Sequence, residues 1–189
     1  MTDRFPGAHI LSVNGVSPTI GNDVFIAPGA VIVGDVTIGD GSSIWFNVVL
    51  RGDVAPIRIG KGTNIQDLTL LHVDRGNPCI VGDNVTIGHS AIVHGTVVED
   101  DVTIAMGAVV LSWSHIGRGS VIAAGAVVPE RMVVEPGSLM VGMPATRKST
   151  LNADRQAQLA SIAGLYVENA ARFRAALAPA ALENESDDR

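Results

Sequence analysis

Aliphatic residues recur every six positions along most of this chain. Ile20, Ile26, Ile32, Ile38, Ile44 and Leu50 form an unbroken ladder. It resumes at Ile59, Ile65 and Leu71, again at Val81, Ile87 and Val93, and then runs through Val98, Ile104, Val110, Ile116, Ile122 and Val128. Helices repeat apolar positions every three or four residues and half-buried strands every two, so neither produces a period of six. Four residues after the aliphatics stand small or β-branched residues: Val24, Ala30, Val36, Ser42 and Val48, then Thr63, Thr69, Val85, Ala91, Val97, Val102, Ala108, Ser114, Ser120 and Ala126. If both positions face inward, each hexapeptide is one flat side of a coil and three sides close a turn. Glycine commonly follows the ladder residue, as at Gly21, Gly39, Gly60, Gly88 and Gly117, which predicts flexible backbone at the corners. The pattern therefore predicts a parallel β-helical prism of about six coils, stacked at the ~4.8 Å of hydrogen-bonded strands.

The ladder breaks at residues 54–58 and 73–80, where Pro56 and Pro78 predict loops off the prism. Beyond a Pro/Gly-rich exit, Leu159, Ile162, Tyr166, Ala170, Phe173 and Leu177 are spaced by three and four, which predicts a helix from about Asn152 to Leu177. Its apolar stripe has to bury against the prism or a neighbouring chain. Composition changes at the same place: 24 of 25 valines precede residue 150, whereas half of the 22 alanines follow it. The expected organisation is a β-helix with a lead-in strand over 1–150, a helix packed on the prism over 151–177, and a disordered acidic tail over 178–189.

With 13 Lys and Arg against 19 Asp and Glu, the net charge is −6, and no basic surplus exists for a nucleic-acid partner. The longest apolar run, residues 121–128, falls far short of the ~20 residues that cross a bilayer, so no membrane partner is expected. No signal-like segment opens the sequence, and the expected location is the cytoplasm. A lone cysteine, Cys79, supports neither a disulfide nor a cysteine zinc site and reads as a small residue closing a loop.

Three of the five histidines, His72, His89 and His94, lie close together in the sequence. A separation of 17 is about one coil and puts His72 and His89 on neighbouring levels; the further five to His94 is about one side. Imidazole suits zinc and similar divalent ions, and three histidines leave a coordination position open. On spacing alone, a metal site and three independent turn hydrogen bonds both account for them. Nearby lie Arg51-Gly52-Asp53 and Asn64-Ile65-Gln66-Asp67. Solvated loop positions explain Arg51 and Asp53 as well as a functional pair does, but Gln66 and Asp67 adjoin the ladder itself. His9 and His115 read as surface histidines, and Trp45 and Trp113 either cover the outside of the prism or line an interface between chains, with the interface favoured for Trp45.

The run Val49-Leu50-Arg51-Gly52-Asp53, then Ile59-Gly60, Asn64-Ile65-Gln66-Asp67, His72, Val85-Thr86-Ile87-Gly88-His89 and His94-Gly95 resembles the gamma-class carbonic anhydrase family over roughly residues 10 to 170. The resemblance implies a left-handed β-helix, a homotrimer, CO2 and bicarbonate as substrate and product, and zinc (or iron or cobalt as Fe2+ or Co2+) between subunits. It implies that His72 and His94 come from one chain and His89 from its neighbour. It assigns Arg51 and Asp53 to a buried interface ion pair, Gln66 to orienting the reacting water, Asn64 and Asp67 to its polar surroundings, and Tyr166 to the pocket. This chain departs from the family at Ala105 and Thr96, and its 73–79 loop has Asp74 as its only acid. No carboxylate-rich proton-shuttling insert is present, which implies slow turnover. Two other functions stay open: an acyl-CoA-linked transferase or thioesterase, and a catalytically silent trimeric scaffold.

Overall fold

Buried in a low-entropy, β-branched column, the ladder residues do point inward in a computed structural model of the chain, which describes residues 4–177. Ile32, Ile44, Leu50, Ile65, Leu71, Ile87, Val93, Ile104, Val110, Ile116, Ile122 and Val128 have no accessible surface; Ile20, at the first level, is half-buried. Every coil hydrogen-bonds to the next in parallel register, for example Ser43 with Asn64, Asn64 with Thr86 and Thr86 with Thr103. The result is a left-handed parallel β-helix. The expected tail at 178–189 lies outside the described residues, and among the described residues no helix is long and apolar enough to cross a membrane.

The prism has three faces. The first stacks Phe25–Ile26, Ser43–Ile44, Asn64–Ile65, Thr86–Ile87, Thr103–Ile104, Val121–Ile122 and Ser138–Val141. The second begins with His9–Leu11 and includes Leu70–His72, Ile92–His94, Val109–Val110 and Val127–Val128; the third includes Cys79–Val81, Val97–Val98, His115–Ile116 and Val133–Val134. Interior hydroxyls are matched one coil on: Ser42 donates to the Gly60 carbonyl (2.7 Å), Thr63 to that of Gly82 (2.8 Å) and Thr69 to that of Gly88 (3.0 Å). Among the described residues no buried side-chain donor or acceptor is left without a partner, as a low-dielectric core demands.

Several expectations need correction. At the first break Val49–Ile59 continues as one strand beside Val31–Ile38, so the excursion there is a bulge and not a free loop: residues 53–56 stand opposite Asp35 alone, with Val54 exposed, while Ile57 and Arg58 are back in register. In the second break Val73 is buried, and only a tight turn closed by the Asp74–Asn77 bridge projects. Val97 faces outward because Val93 to Val98 is one residue short; Thr96 fills the inward slot and donates to the Ser114 carbonyl at 2.8 Å. A short strand, Thr146–Thr150, runs antiparallel to Ser138–Val141 and ends the prism, a feature the repeat pattern does not contain.

Glycines after the ladder residues serve a purpose other than flexibility. Gly39 has an ordinary φ, but a Cβ there would lie 2.6 Å from the Gly60 carbonyl carbon. Coils stack backbone on backbone at this corner, and only glycine allows that approach. The left-handed corner conformations fall elsewhere, on Asp23, Asn47, Leu68, Asn84 and Trp113 among others. Gly39→Ala is expected to destabilise the fold by about 2 kcal/mol, since neither backbone can yield without breaking a coil contact; a urea unfolding curve superimposable on the parent's would refute this.

Helix α1 (Ala153–Leu177) lies along the first face. Of its own residues Ala163 and Ala170 are buried, while Phe173 stays 41% exposed. Trp45 is 6% exposed and meets Tyr166 and Phe173 edge-on at 5.5 and 5.1 Å between ring centroids. It therefore covers the outside of the prism and anchors the helix of its own chain, the less favoured of the two roles its sequence context allowed.

Candidate functional site

The histidines divide between two corners of the prism. His72 and His94 pair in strand register where the second face turns into the third. His89 follows Thr86–Ile87 at the other edge of the second face. The sequence spacing of 17 does place His89 one level from His72, but the residue stacked on His72 is His94, at a separation of 22. Between His89 and His94 lies the width of the second face, five residues or at most roughly 17 Å of extended chain.

At the His72/His94 corner the two ring centroids lie 4.9 Å apart with the planes inclined at 66°, and His72 Nδ1 and His94 Nε2 face each other at 2.9 Å. Each ring is held by its other nitrogen. His72 Nε2 contacts Asp53 Oδ1 at 3.2 Å, and Asp53 in turn accepts from Arg51 at 2.5 Å. His94 Nδ1 contacts Ser112 Oγ at 2.9 Å, and Ser112 donates to Asp74 Oδ2 at 2.6 Å. Both side-chain pairs arise from the fold: Asp53 lies on the strand preceding His72, and Ser112 is one full coil beyond His94.

Electrostatics at this corner favour carboxylates and neutral imidazole. Desolvation works against the Asp53 carboxylate, yet the Arg51 guanidinium, its own backbone and His72 hold its pKa below the ordinary value. Desolvation lowers the His72 pKa, with Asp53 opposing and Arg51 adding to the shift. The Ser112 hydroxyl lowers that of Asp74. Neutral imidazole is the metal-binding form.

At the other corner Asp67 Oδ2 holds His89 Nδ1 at 2.7 Å, and the His89 side chain is 44% exposed. Beneath helix α1, Gln66 donates to Asn64 Oδ1 at 3.0 Å and Asn64 donates to Thr86 Oγ1 at 2.9 Å. Gln66 and Asn64 are buried, at 5% and 1% exposure. Tyr166 stands over this group; its pKa is raised by desolvation and by the Asp67 charge. Asn64, Gln66, Asp67, His89 and Tyr166 thus form one group, and Arg51, Asp53, His72 and His94 another. Arg51 is still 45% exposed in the single chain.

Among the described residues, no three His, Cys, Asp or Glu side chains of one chain meet as a metal site. The donor set nevertheless fits a divalent ion. Tetrahedral coordination at ~2.0–2.1 Å separates ligand nitrogens by about 3.3 Å, so the facing nitrogens need to part by only a few tenths of an ångström. All three histidines have the second nitrogen engaged by a carboxylate, directly or through a hydroxyl, the arrangement that fixes ring orientation in metal centres. Sequence reasoning passed over Ser112, although its spacing of 18 from His94 is one uninterrupted coil. Elsewhere, His115 is tied to Glu99 at 2.7 Å, and burial pushes the Cys79 thiol up to about 12, which removes it as a nucleophile.

Residues 17–52 and 95–130 match the family described as bacterial transferase hexapeptide (six repeats). Over 166 residues the chain is 41% identical to a carbonic anhydrase of Geobacillus kaustophilus, covering 88% of this chain and 91% of that protein. It is 46% identical over 142 residues to the mitochondrial gamma carbonic anhydrase 2 of Arabidopsis thaliana, covering 72% of this chain but only 51% of the plant protein; the chain spans about half the length of such plant relatives. A crystal structure of a hexapeptide transferase family protein from Anaplasma phagocytophilum superposes with a TM-score of 0.84 at 36% identity, covering 87% of this chain and 98% of that one.

Proposed function

The chain belongs to the gamma-class carbonic anhydrase family of hexapeptide-repeat β-helices, and on that premise we propose that it hydrates CO2 to bicarbonate at a three-histidine metal centre shared between subunits of a trimer. The observation that carries this reading is the division of the histidines: two facing imidazoles at one edge of the second face, and a third, half-exposed and held by Asp67 through Nδ1, at the other edge. Outward positions between these edges are apolar, with Val31, Val49, Leu70, Ile92, Val109 and Val127 in one stripe. Three copies turned about an axis parallel to the prism, second faces inward, bring the His89 corner of each against the His72/His94 corner of the next. The apolar stripe supports this packing, since such a surface seeks cover.

His72 and His94 of one subunit and His89 of its neighbour would hold the ion, with zinc the first candidate and Fe2+ or Co2+ the alternatives. A divalent ion held by neutral imidazoles lowers the pKa of water to about 7, a property for which carbonic anhydrases are the standard example. The protein's own contribution is orientation. Because the Gln66 amide nitrogen is committed to Asn64, its carbonyl oxygen is left to accept a hydrogen from the reacting water. Asn64 is fixed in turn by Thr86. Asp67 keeps His89 Nε2 directed across the interface, and the Arg51–Asp53 pair does the same for His72 from within its own chain. Tyr166, which keeps its proton, offers a hydroxyl donor at the pocket edge. The 73–79 loop carries Asp74 as its only acid and offers no acid-rich path for the proton, so turnover depends on buffer.

Stopped-flow CO2 hydration on chelator-stripped protein, and on the same protein reloaded with Zn2+ or Fe2+, tests the proposal. Activity is expected to vanish on stripping, to return with the metal, and to rise with buffer concentration; stoichiometric metal without turnover refutes it. The transferase descriptions of the family model and of the Anaplasma protein favour a second reading, acyl transfer or thioester hydrolysis on CoA substrates. The reloaded samples assayed against CoA esters decide between them, and a trimer inactive in both assays is a scaffold.

A further inference from the structure

We propose that Ser112 and Asp74 are the positioning residues of His94, holding a hydrogen on its Nδ1 so that Nε2 presents the lone pair to the metal. The inference rests on the metal-centre reading above and extends it to residues outside the ligand set. His94 has two ring nitrogens and, unlike His72 and His89, no carboxylate bonded to its outer nitrogen: Asp74 Oδ2 is 3.6 Å from Nδ1, beyond hydrogen-bond reach. Ser112 fills the gap, 2.9 Å from Nδ1 and 2.6 Å from Asp74. With the carboxylate ionised, the hydroxyl hydrogen points to Asp74, and the oxygen is left to accept from His94 Nδ1–H. The polarity of the chain is thus set from Asp74 inward, and the tautomer of His94 follows.

The relay is held in place by backbone. The Asp74 turn is closed by the Asn77 amide on the Asp74 carbonyl at 3.0 Å, and the Asn77 side chain donates to the Gly95 carbonyl at 2.6 Å. The turn that supplies the carboxylate is therefore fastened to the residue directly after His94. Ser112 is 8% exposed, so water does not readily take its place. A loop that carries only one acid, and looked merely deficient in the sequence, supplies the third of three carboxylate anchors.

Zinc affinity, measured by competition with a chromogenic chelator, tests the relay. Ser112→Ala and Asp74→Ala are each expected to weaken zinc binding about 10–100-fold. Ser112→Thr, which keeps the hydroxyl, should stay within about threefold of the parent. The Ser112→Ala/Asp74→Ala double variant should be no weaker than either single one, because the two groups act in series. A second readout needs no metal: nitrogen-15 spectra of histidine-labelled, zinc-free protein should show His94 protonated at Nδ1 in the parent and distributed over both nitrogens in Ser112→Ala. Parent-like affinity and parent-like nitrogen spectra in a folded Ser112→Ala protein overturn the proposal. If the parent itself takes up no zinc, the metal-centre reading falls and the spectra alone judge the relay: an Nδ1 proton lost with the hydroxyl upholds it, an unchanged one overturns it.

Discussion

Alanine at His94 is expected to abolish metal uptake and CO2 hydration together while the prism stays folded. His94 supplies one of the two facing nitrogens, and without it His72 alone remains at that corner, with Asp53 already committed to it and to Arg51. Two imidazoles from different subunits hold a divalent ion far more weakly than three, and activity should fall by roughly 10³-fold or more, the scale on which a metal-activated water contributes. Folding should survive because the residue that fills the core at this point is Val93, fully buried, whereas the His94 ring lies outward and is 25% exposed. The stability cost is expected to be near 1 kcal/mol, for the lost contacts with His72 and Ser112. Elemental analysis, stopped flow and a thermal melt on one preparation check all three. A variant that keeps its metal and its turnover removes His94 from the centre.

Why the sequence revealed the prism more readily than the site follows from how each is encoded. Burial repeats: Ile32, Ile44, Ile65 and Ile122 occupy one kind of position many times over, so a period survives local interruptions. The site depends on which corner each histidine occupies, and corner lengths vary. Leu50 to Ile59 spans nine residues, Leu71 to Val81 ten and Val93 to Val98 five, so counting modulo 18 loses its phase where the histidines lie. This is why spacing put His89 on the level next to His72 without identifying His94 as the residue stacked on it, and why Val97 seemed to face inward. Where the count is undisturbed, as from His94 to Ser112, spacing does identify the neighbour. The glycine corners misled for a different reason, since glycine answers both to a positive φ and to a close approach, and only the stacked backbones distinguish the two. Trp45 is a third case: its partners Tyr166 and Phe173 are more than 120 residues away, and no repeat announces a helix laid across the first face.

The separation of His89 from the other two leads to a complementation experiment with a numerical outcome. His89→Ala and His94→Ala proteins should each be inactive as pure trimers. Co-refolded in equal amounts, they should regain activity, because a subunit that keeps His72 and His94 can sit beside one that keeps His89. Random assortment makes about three quarters of the trimers mixed, and each mixed trimer contains one intact junction in three, so about a quarter of the parental activity should return. A site built within one chain predicts no recovery, since neither variant chain holds all three ligands. Recovery cannot arise from a folding defect, because a variant that failed to assemble could not rescue its partner. Light scattering and mass spectrometry establish that mixed trimers form; if they do and activity stays absent, the shared centre is wrong, and the half-exposed His89 has to be explained by its bond to Asp67 alone.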